Sequence, residues 1–251
     1  FMGTARGVVK KVKTSEFSNV KTRGIIAIRL DEGDKLVSAL LTGGKDEVVL
    51  ISRKGQALRT HEDQVRPMGR SSRGVSGMRL GNDDELAGLL RVDAGPEKKA
   101  REKMLLLSEY GFGKRVDFGE FSSHGRGTGG QKIYTVSEKT GEIVGCVNVL
   151  DSEEIMCITS QGKSIKLKVK AVPVMGRSAR GVRILSIDKP DFVIGVDRIV
   201  QEDKVYHKEE NPETGGAEDA AGPVPLEAEQ DPPEPDPQGD LFADDGGEGE
   251  D

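Results

Sequence analysis

Apolar and polar residues alternate along this chain in short runs, the period of half-buried β-strands rather than of helices. Residues 8–13 show it most clearly. Val8 and Val12 fall on one face of an extended segment, Lys11 and Lys13 on the other. The pattern predicts strands over 1–7 (running into a tight turn), 8–13, 22–30, 36–41 and 48–52, with turns at 31–34 and 43–46. It continues at 86–92, 105–108, 156–159, 165–169 and 192–200. No apolar run approaches the ~20 residues of a membrane-spanning helix, and no secretory signal is visible. Aromatic residues make up only 4% and Trp is absent, so the core must rest on Val, Ile and Leu.

The predicted strands belong to a repeat. Gly69-Arg70-Ser71-Ser72-Arg73-Gly74-Val75 returns as Gly176-Arg177-Ser178-Ala179-Arg180-Gly181-Val182, and more loosely as Gly125-Arg126-Gly127-Thr128-Gly129-Gly130-Gln131. Arg23-Gly24-Ile25 is a reduced fourth copy. Each copy is preceded by an anchor glycine: Gly7, Gly55, Gly111 or Gly162. Three residues before the anchor stands Thr4, Ser52, Ser108 or Thr159, and four after it Lys11, Arg59, Arg115 or Lys166. Six residues after the RG glycine (Gly24, Gly74, Gly130, Gly181) stands Leu30, Leu80, Val136 or Ile187. Such agreement at intervals of ~50 residues defines four units, near residues 1–45, 46–101, 102–152 and 153–200. A charged insertion at 93–103 lengthens the second. About four strands in ~50 residues predict an all-β, propeller-type array in which neighbouring sheets bury each other's faces. The WD and kelch hallmarks are missing, and the strand-like patterning argues against an αα-solenoid.

Charge divides the chain in two. Residues 208–251 hold 16 acidic residues and one lysine, a net −15; the total of −6 therefore leaves +9 on residues 1–207. Residues 208–251 are too polar to bury a core and read as a disordered acidic tail. A basic body suggests a polyanionic partner. The tail serves either solubility or competition with that partner. Cys146 and Cys157 suggest no disulfide framework, which reads as a reducing cytoplasm. Catalysis finds little support. His61, His124 and His207 stand far apart, Tyr110, Tyr134 and Tyr206 read as structural, and no phosphate-binding P-loop motif occurs.

The units resemble the blades of the DNA gyrase C-terminal domain, the one carried by the enzyme's A subunit. In that family a blade reads apolar-apolar-T/S-x-x-G-x-x-K/R, then an aromatic, then GR-x-x-x-G-V. Here FMGTARGVVKKV with Phe17, LLLSEYGFGKRVDFGEF and VMGRSARGV carry the pattern, and the resemblance covers residues 1 to about 200. It implies a β-pinwheel, a propeller-like disc whose blades exchange hairpins and whose basic rim binds and wraps duplex DNA without regard to sequence. The family domain usually has six blades, so the chain is expected to be the C-terminal part of a longer polypeptide lacking the first two. The family's QRRGGKG-like box is absent; residues 124–130 resemble it but stand in a later blade. The resemblance further implies a bacterial, cytoplasmic holoenzyme containing the gyrase B subunit and a second A subunit. ATP and Mg would be held elsewhere in it, with no cofactor or catalytic residue here. The alternatives are the corresponding domain of topoisomerase IV and a propeller scaffold for an acidic protein.

On this reading the invariant basic position, Lys11, Arg59, Arg115 and Lys166, is the leading DNA-contact candidate, expected to form a stripe around the rim. Lys10, Lys13, Lys114 and Lys168 extend it along the same strands. Arg23, Arg70, Arg73, Arg126, Arg177 and Arg180 on the RG element form a second set, which can serve DNA or pack over a neighbouring blade.

Overall fold

The computed structural model describes residues 1–20, 22–92 and 102–199. Most of the charged insertion and the whole acidic segment 208–251 lie outside the described residues, and so does the reading of that segment as disordered.

Each unit opens with an antiparallel hairpin: β1 (Met2–Thr4) with β2 (Val8–Lys10), β4 (Glu47–Ser52) with β5 (Gln56–His61), β8 (Lys103–Ser108) with β9 (Phe112–Asp117), and β12 (Glu154–Thr159) with β13 (Ser164–Lys168). A short 3-10 turn follows each hairpin. The unit ends on a closing strand that pairs with the first strand of its own hairpin: β3 (Leu36–Ala39), β7 (Leu86–Val92), β11 (Ile143–Val149) or β15 (Val193–Ile199).

The sequence repeat explains the turn inside each hairpin. The anchor glycine donates its N–H to the carbonyl three residues back, at 2.9 to 3.1 Å in all four units. The Thr or Ser at that same position closes the turn with its hydroxyl. Thr4, Ser52 and Thr159 Oγ accept the N–H of Val8, Gln56 and Lys163 at 3.1 to 3.3 Å, while Ser108 instead donates to the Phe112 carbonyl. The anchors sit at positive φ, +76° at Gly111 for example, where a side chain is strained.

The RG elements form the short strands β6 (Val75–Ser76), β10 (Gln131–Lys132) and β14 (Val182–Arg183). None pairs with its own hairpin. β6 pairs with β2, β10 with β5 and β14 with β9, each in the sheet of the preceding unit. The sheets therefore read β3-β1-β2-β6, β7-β4-β5-β10, β11-β8-β9-β14 and β15-β12-β13. This is the all-β pinwheel architecture, but the exchanged piece is a single short strand, not the expected hairpin. It also corrects the strand predicted over 22–30. That segment has no preceding hairpin to pair with among the described residues, and it forms no strand.

Stacking of the sheets accounts for the apolar runs. β4 contributes alternate residues to opposite interfaces: Val48 and Leu50 pack toward the first sheet, Val49 and Ile51 toward the third. β8 does the same, with Met104 and Leu106 on one side and Leu105 and Leu107 on the other. Each such side chain contributes roughly 1.5–3 kcal/mol. The closing strands β3, β7, β11 and β15 pack on one another in succession. They line the inner side of the array, which leaves the exchanged RG strands as the outer edge.

Candidate functional site

The invariant basic position does not form a solvent-facing stripe. Lys11, Arg59 and Arg115 each make a parallel bridge with the segment leading into the next unit's RG element, at Pro67, Ser123 and Val174. Their side chains reach the 3-10 turn of that next unit. Lys11 Nζ donates to the Glu62 carbonyl at 2.8 Å and lies 3.6 Å from the Glu62 carboxylate. Arg59 donates to the carbonyls of Phe118 at 2.6 Å and Phe121 at 3.2 Å, and pairs with Glu47. Arg115 Nε donates to the Val172 carbonyl at 2.6 Å and its guanidinium pairs with Asp151. The position is an inter-blade latch, and the physical reason is the exchange itself. It brings the next unit's carbonyls, which need donors, against this strand. Lys166 has no following unit among the described residues. Its side chain is 53% exposed and pairs with Glu154 at 2.7 Å.

Lys10 and Lys114, also read as DNA contacts, are completely buried. Lys10 Nζ donates to the carbonyls of Ala27 and Ser72, each at 2.9 Å, and to that of Arg70. Lys114 Nζ donates to the carbonyls of Gly176 at 3.0 Å and Arg177 at 2.7 Å. Burial pushes the Lys114 ammonium down to about 8, with Glu120 acting against it. Burial and the Arg70 charge lower Lys10 as well. Neither ammonium can reach a ligand outside the fold.

Glu62, fully buried, organises the first junction. Its carboxylate accepts from Thr42 Oγ1 at 2.8 Å, Gly44 N at 2.7 Å and Asp46 N at 2.9 Å. Burial alone would raise its pKa; those bonds and Lys11 outweigh it and hold the group below the usual carboxylate range. Nothing in the repeat register marks Glu62.

Among the candidate DNA contacts, the cations that remain exposed lie on the RG element and nearby strands. Arg73, Arg126 and Arg180 are exposed, and Arg70 and Arg177 are half-buried. Arg73 pairs with Asp31. Arg126 donates to the carbonyls of Gln64 at 3.1 Å and Ser76 at 3.0 Å, which fixes it against the preceding unit. Arg70 reaches the Ile26 carbonyl at 3.2 Å. Successive RG loops thus touch along the edge. Lys13 and Arg23 are exposed on the first unit, and Lys168 joins Lys166 on β13. Sequence reasoning missed Lys132 on β10 and Arg183 on β14, which are also exposed; Arg183 lies 5.3 Å from the Phe112 ring centre. Both stand two residues beyond an RG glycine, a register that would have found them.

A family model described as DNA gyrase C-terminal domain, beta-propeller, matches the chain at residues 1–42, 46–93, 102–149 and 153–199. The chain belongs to the DNA gyrase C-terminal domain family. The DNA gyrase A subunit of Treponema pallidum is 54% identical over 201 residues, 80% of this chain and 24% of that protein. That of Aminobacterium colombiense is 42% identical over 203 residues, 81% of this chain and 24% of that protein. The chain thus spans about a quarter of the length of these curated relatives. A solved DNA gyrase A C-terminal domain superposes with a TM-score of 0.70 at 28% identity, covering 79% of this chain and 64% of that one. A DNA topoisomerase IV C-terminal domain shares the fold, with a TM-score of 0.72 at 24% identity, covering 79% and 60%. The latch residues join successive blades, and the arginines of the outer edge are the ones open to solvent.

Proposed function

We propose that this chain is a non-catalytic module that binds and wraps duplex DNA without regard to sequence, within an enzyme that supercoils DNA negatively at the expense of ATP. The gyrase B subunit and a second A subunit are its partners in that holoenzyme, in a bacterial cytoplasm. The observation that carries the reading is the outer edge. Successive sheets present Arg73, Arg126 with Lys132, and Arg180 with Arg183 on neighbouring RG elements, and the fourth adds Lys166 and Lys168. Guanidinium groups suit phosphate oxygens, and phosphate contacts carry no base code. Bending ~20–30 bp by 40–90° costs about 1–6 kcal/mol, so wrapping needs cations spread along a curved edge, not one patch.

The test is fluorescence anisotropy of a labelled duplex against salt concentration. Arg73→Ala, Arg126→Ala and Arg180→Ala are each expected to weaken binding equally for unrelated sequences. Each should also flatten the log–log salt slope by about 0.9, the loss of one phosphate contact. Unchanged slopes in all three would move the DNA off this edge.

A further inference from the structure

The two buried lysines recur with a particular loop. Where Lys10 or Lys114 stands three residues after the anchor, the RG loop laid on it is Gly-Arg-Ser-Ser-Arg-Gly or Gly-Arg-Ser-Ala-Arg-Gly. Where that position is Leu58, the loop is Gly-Arg-Gly-Thr-Gly-Gly, and Arg126 is held instead by Gln64 and Ser76. An ammonium has three donors and no acceptor. Lys10 spends them on the carbonyls of Ala27, Arg70 and Ser72; Lys114 spends two on Gly176 and Arg177.

That choice fixes which way the loop's other polar groups point. Across a planar trans peptide, C=O and the following N–H are opposed. Carbonyls of Arg70 and Ser72 drawn inward turn the N–H groups of Ser71 and Arg73 outward; the carbonyl of Arg177 does the same for Ser178. Ser71, Arg73 and Ser178 are exposed, and their N–H groups have no backbone or side-chain acceptor among the described residues. An outward N–H beside a guanidinium group offers convergent donors to an anionic oxygen. Two carboxylates stand nearby: Asp31 on the Arg73 guanidinium, and Glu120, which accepts Arg177 N at 3.4 Å.

We infer that Lys10 and Lys114 are positioning residues for two phosphate-binding turns, at 69–74 and 176–181, whose outward N–H groups and arginines take phosphodiester oxygens of duplex DNA, and that the loop over Leu58 is not a turn of this kind. The inference rests on the DNA-binding reading above. It makes the edge uneven, with two built phosphate sites separated by a loop that contributes only Arg126 and Lys132.

The test uses the full chain, a labelled duplex and a salt series. Lys114→Met keeps Arg177 and Arg180, yet it should lower affinity several-fold and flatten the log–log slope by about 0.9 to 1.8, for one or two lost phosphate contacts. The pH profile separates positioning from packing. Lys114 loses its charge through a pKa of about 8, so its charge-assisted hold on the Gly176 and Arg177 carbonyls weakens between pH 7 and pH 9. The elements packed on it bring Glu120, Arg177 and Arg180 as charged groups. Wild-type affinity is therefore expected to fall between pH 7 and 9, and Lys114→Met to show a smaller fall. Circular dichroism establishes that the variant is folded. If it is not, the wild-type Ser178 amide resonance decides: a shift with a midpoint near pH 8 supports the inference, and a flat response overturns it. A folded Lys114→Met with unchanged slope and pH profile overturns it too, while leaving DNA binding intact. A wild-type chain that binds no duplex at low salt overturns the underlying reading as well.

Discussion

Arg115 and Lys166 occupy the same repeat position, and the structure predicts very different costs for removing them. The Arg115 side chain is 6% exposed, and its Nε holds the carbonyl of Val172, itself 1% exposed. Arg115→Met keeps volume but leaves that carbonyl without this donor, a cost of about 1–3 kcal/mol. The Asp151 side chain is 63% exposed and rehydrates, so its half of the pair contributes no more than about 1 kcal/mol. The expected loss is about 1–4 kcal/mol. Lys166→Met removes one exposed pair with Glu154, about 0–1 kcal/mol. In a body of this size each kcal/mol lowers Tm by about 2–4 °C. Thermal unfolding should then separate the variants by several degrees, and urea midpoints should agree. Below its Tm, Arg115→Met should bind duplex DNA with the wild-type salt slope. Equal destabilisation of both variants would refute the latch. A folded Arg115→Met whose slope falls by about 0.9 would restore that arginine as a phosphate contact.

Two further outcomes follow from the same junctions. The neighbouring anchors Gly111 and Gly162 share nearly the same φ, +76° and +78°, but a Cβ at Gly111 would collide with the Leu185 carbonyl while one at Gly162 meets open space. Gly162→Ala should cost about 1–2 kcal/mol for the left-handed backbone alone, and Gly111→Ala clearly more, measured as urea midpoints. Glu62 is held below the ordinary carboxylate range, so its contribution is present above that range and lost as pH falls through its folded-state value. Glu62→Gln should lower stability at pH 7 and reduce the steepness of its decline below pH 5; an unchanged acid limb would show that the buried carboxylate does not drive acid unfolding.

The four units and the anchor turns were legible because they are local. A Thr or Ser, a glycine three residues on and alternating flanks determine a hairpin without reference to anything else. What the alternation could not reveal is the surroundings of each face. Residues 8–13 read as a strand with one wet side because Lys11 and Lys13 share that side. In β5 and β9 the same register lies against the next unit, so Arg59 and Arg115 are enclosed. The exchange is equally invisible along the chain. β6, β10 and β14 are two residues each, too short for any period, and they become strands only because a neighbour's hairpin offers an edge. Residues 22–30 carry the same composition without that edge. Lys10 and Lys114 were legible as basic and illegible as buried, since nothing local shows that three carbonyls await one of them.

Strand exchange therefore divides the basic residues into two populations with opposite relations to the repeat. Lys11, Arg59 and Arg115 recur in strict register because each junction between units presents carbonyls in or just after the next unit's 3-10 turn. Cations of the outer edge follow the register less closely: Arg73 and Arg180 correspond to Gly129 in the loop between them, and Ser71 and Ser178 to Gly127. Regularity is thus a poor guide to ligand contact in such a fold. The residue type that most suggests a polyanion site is most regular where the protein uses it on itself. The ligand is to be sought on the outer loops, whose backbone is set from beneath by a lysine in two units and by a leucine in another.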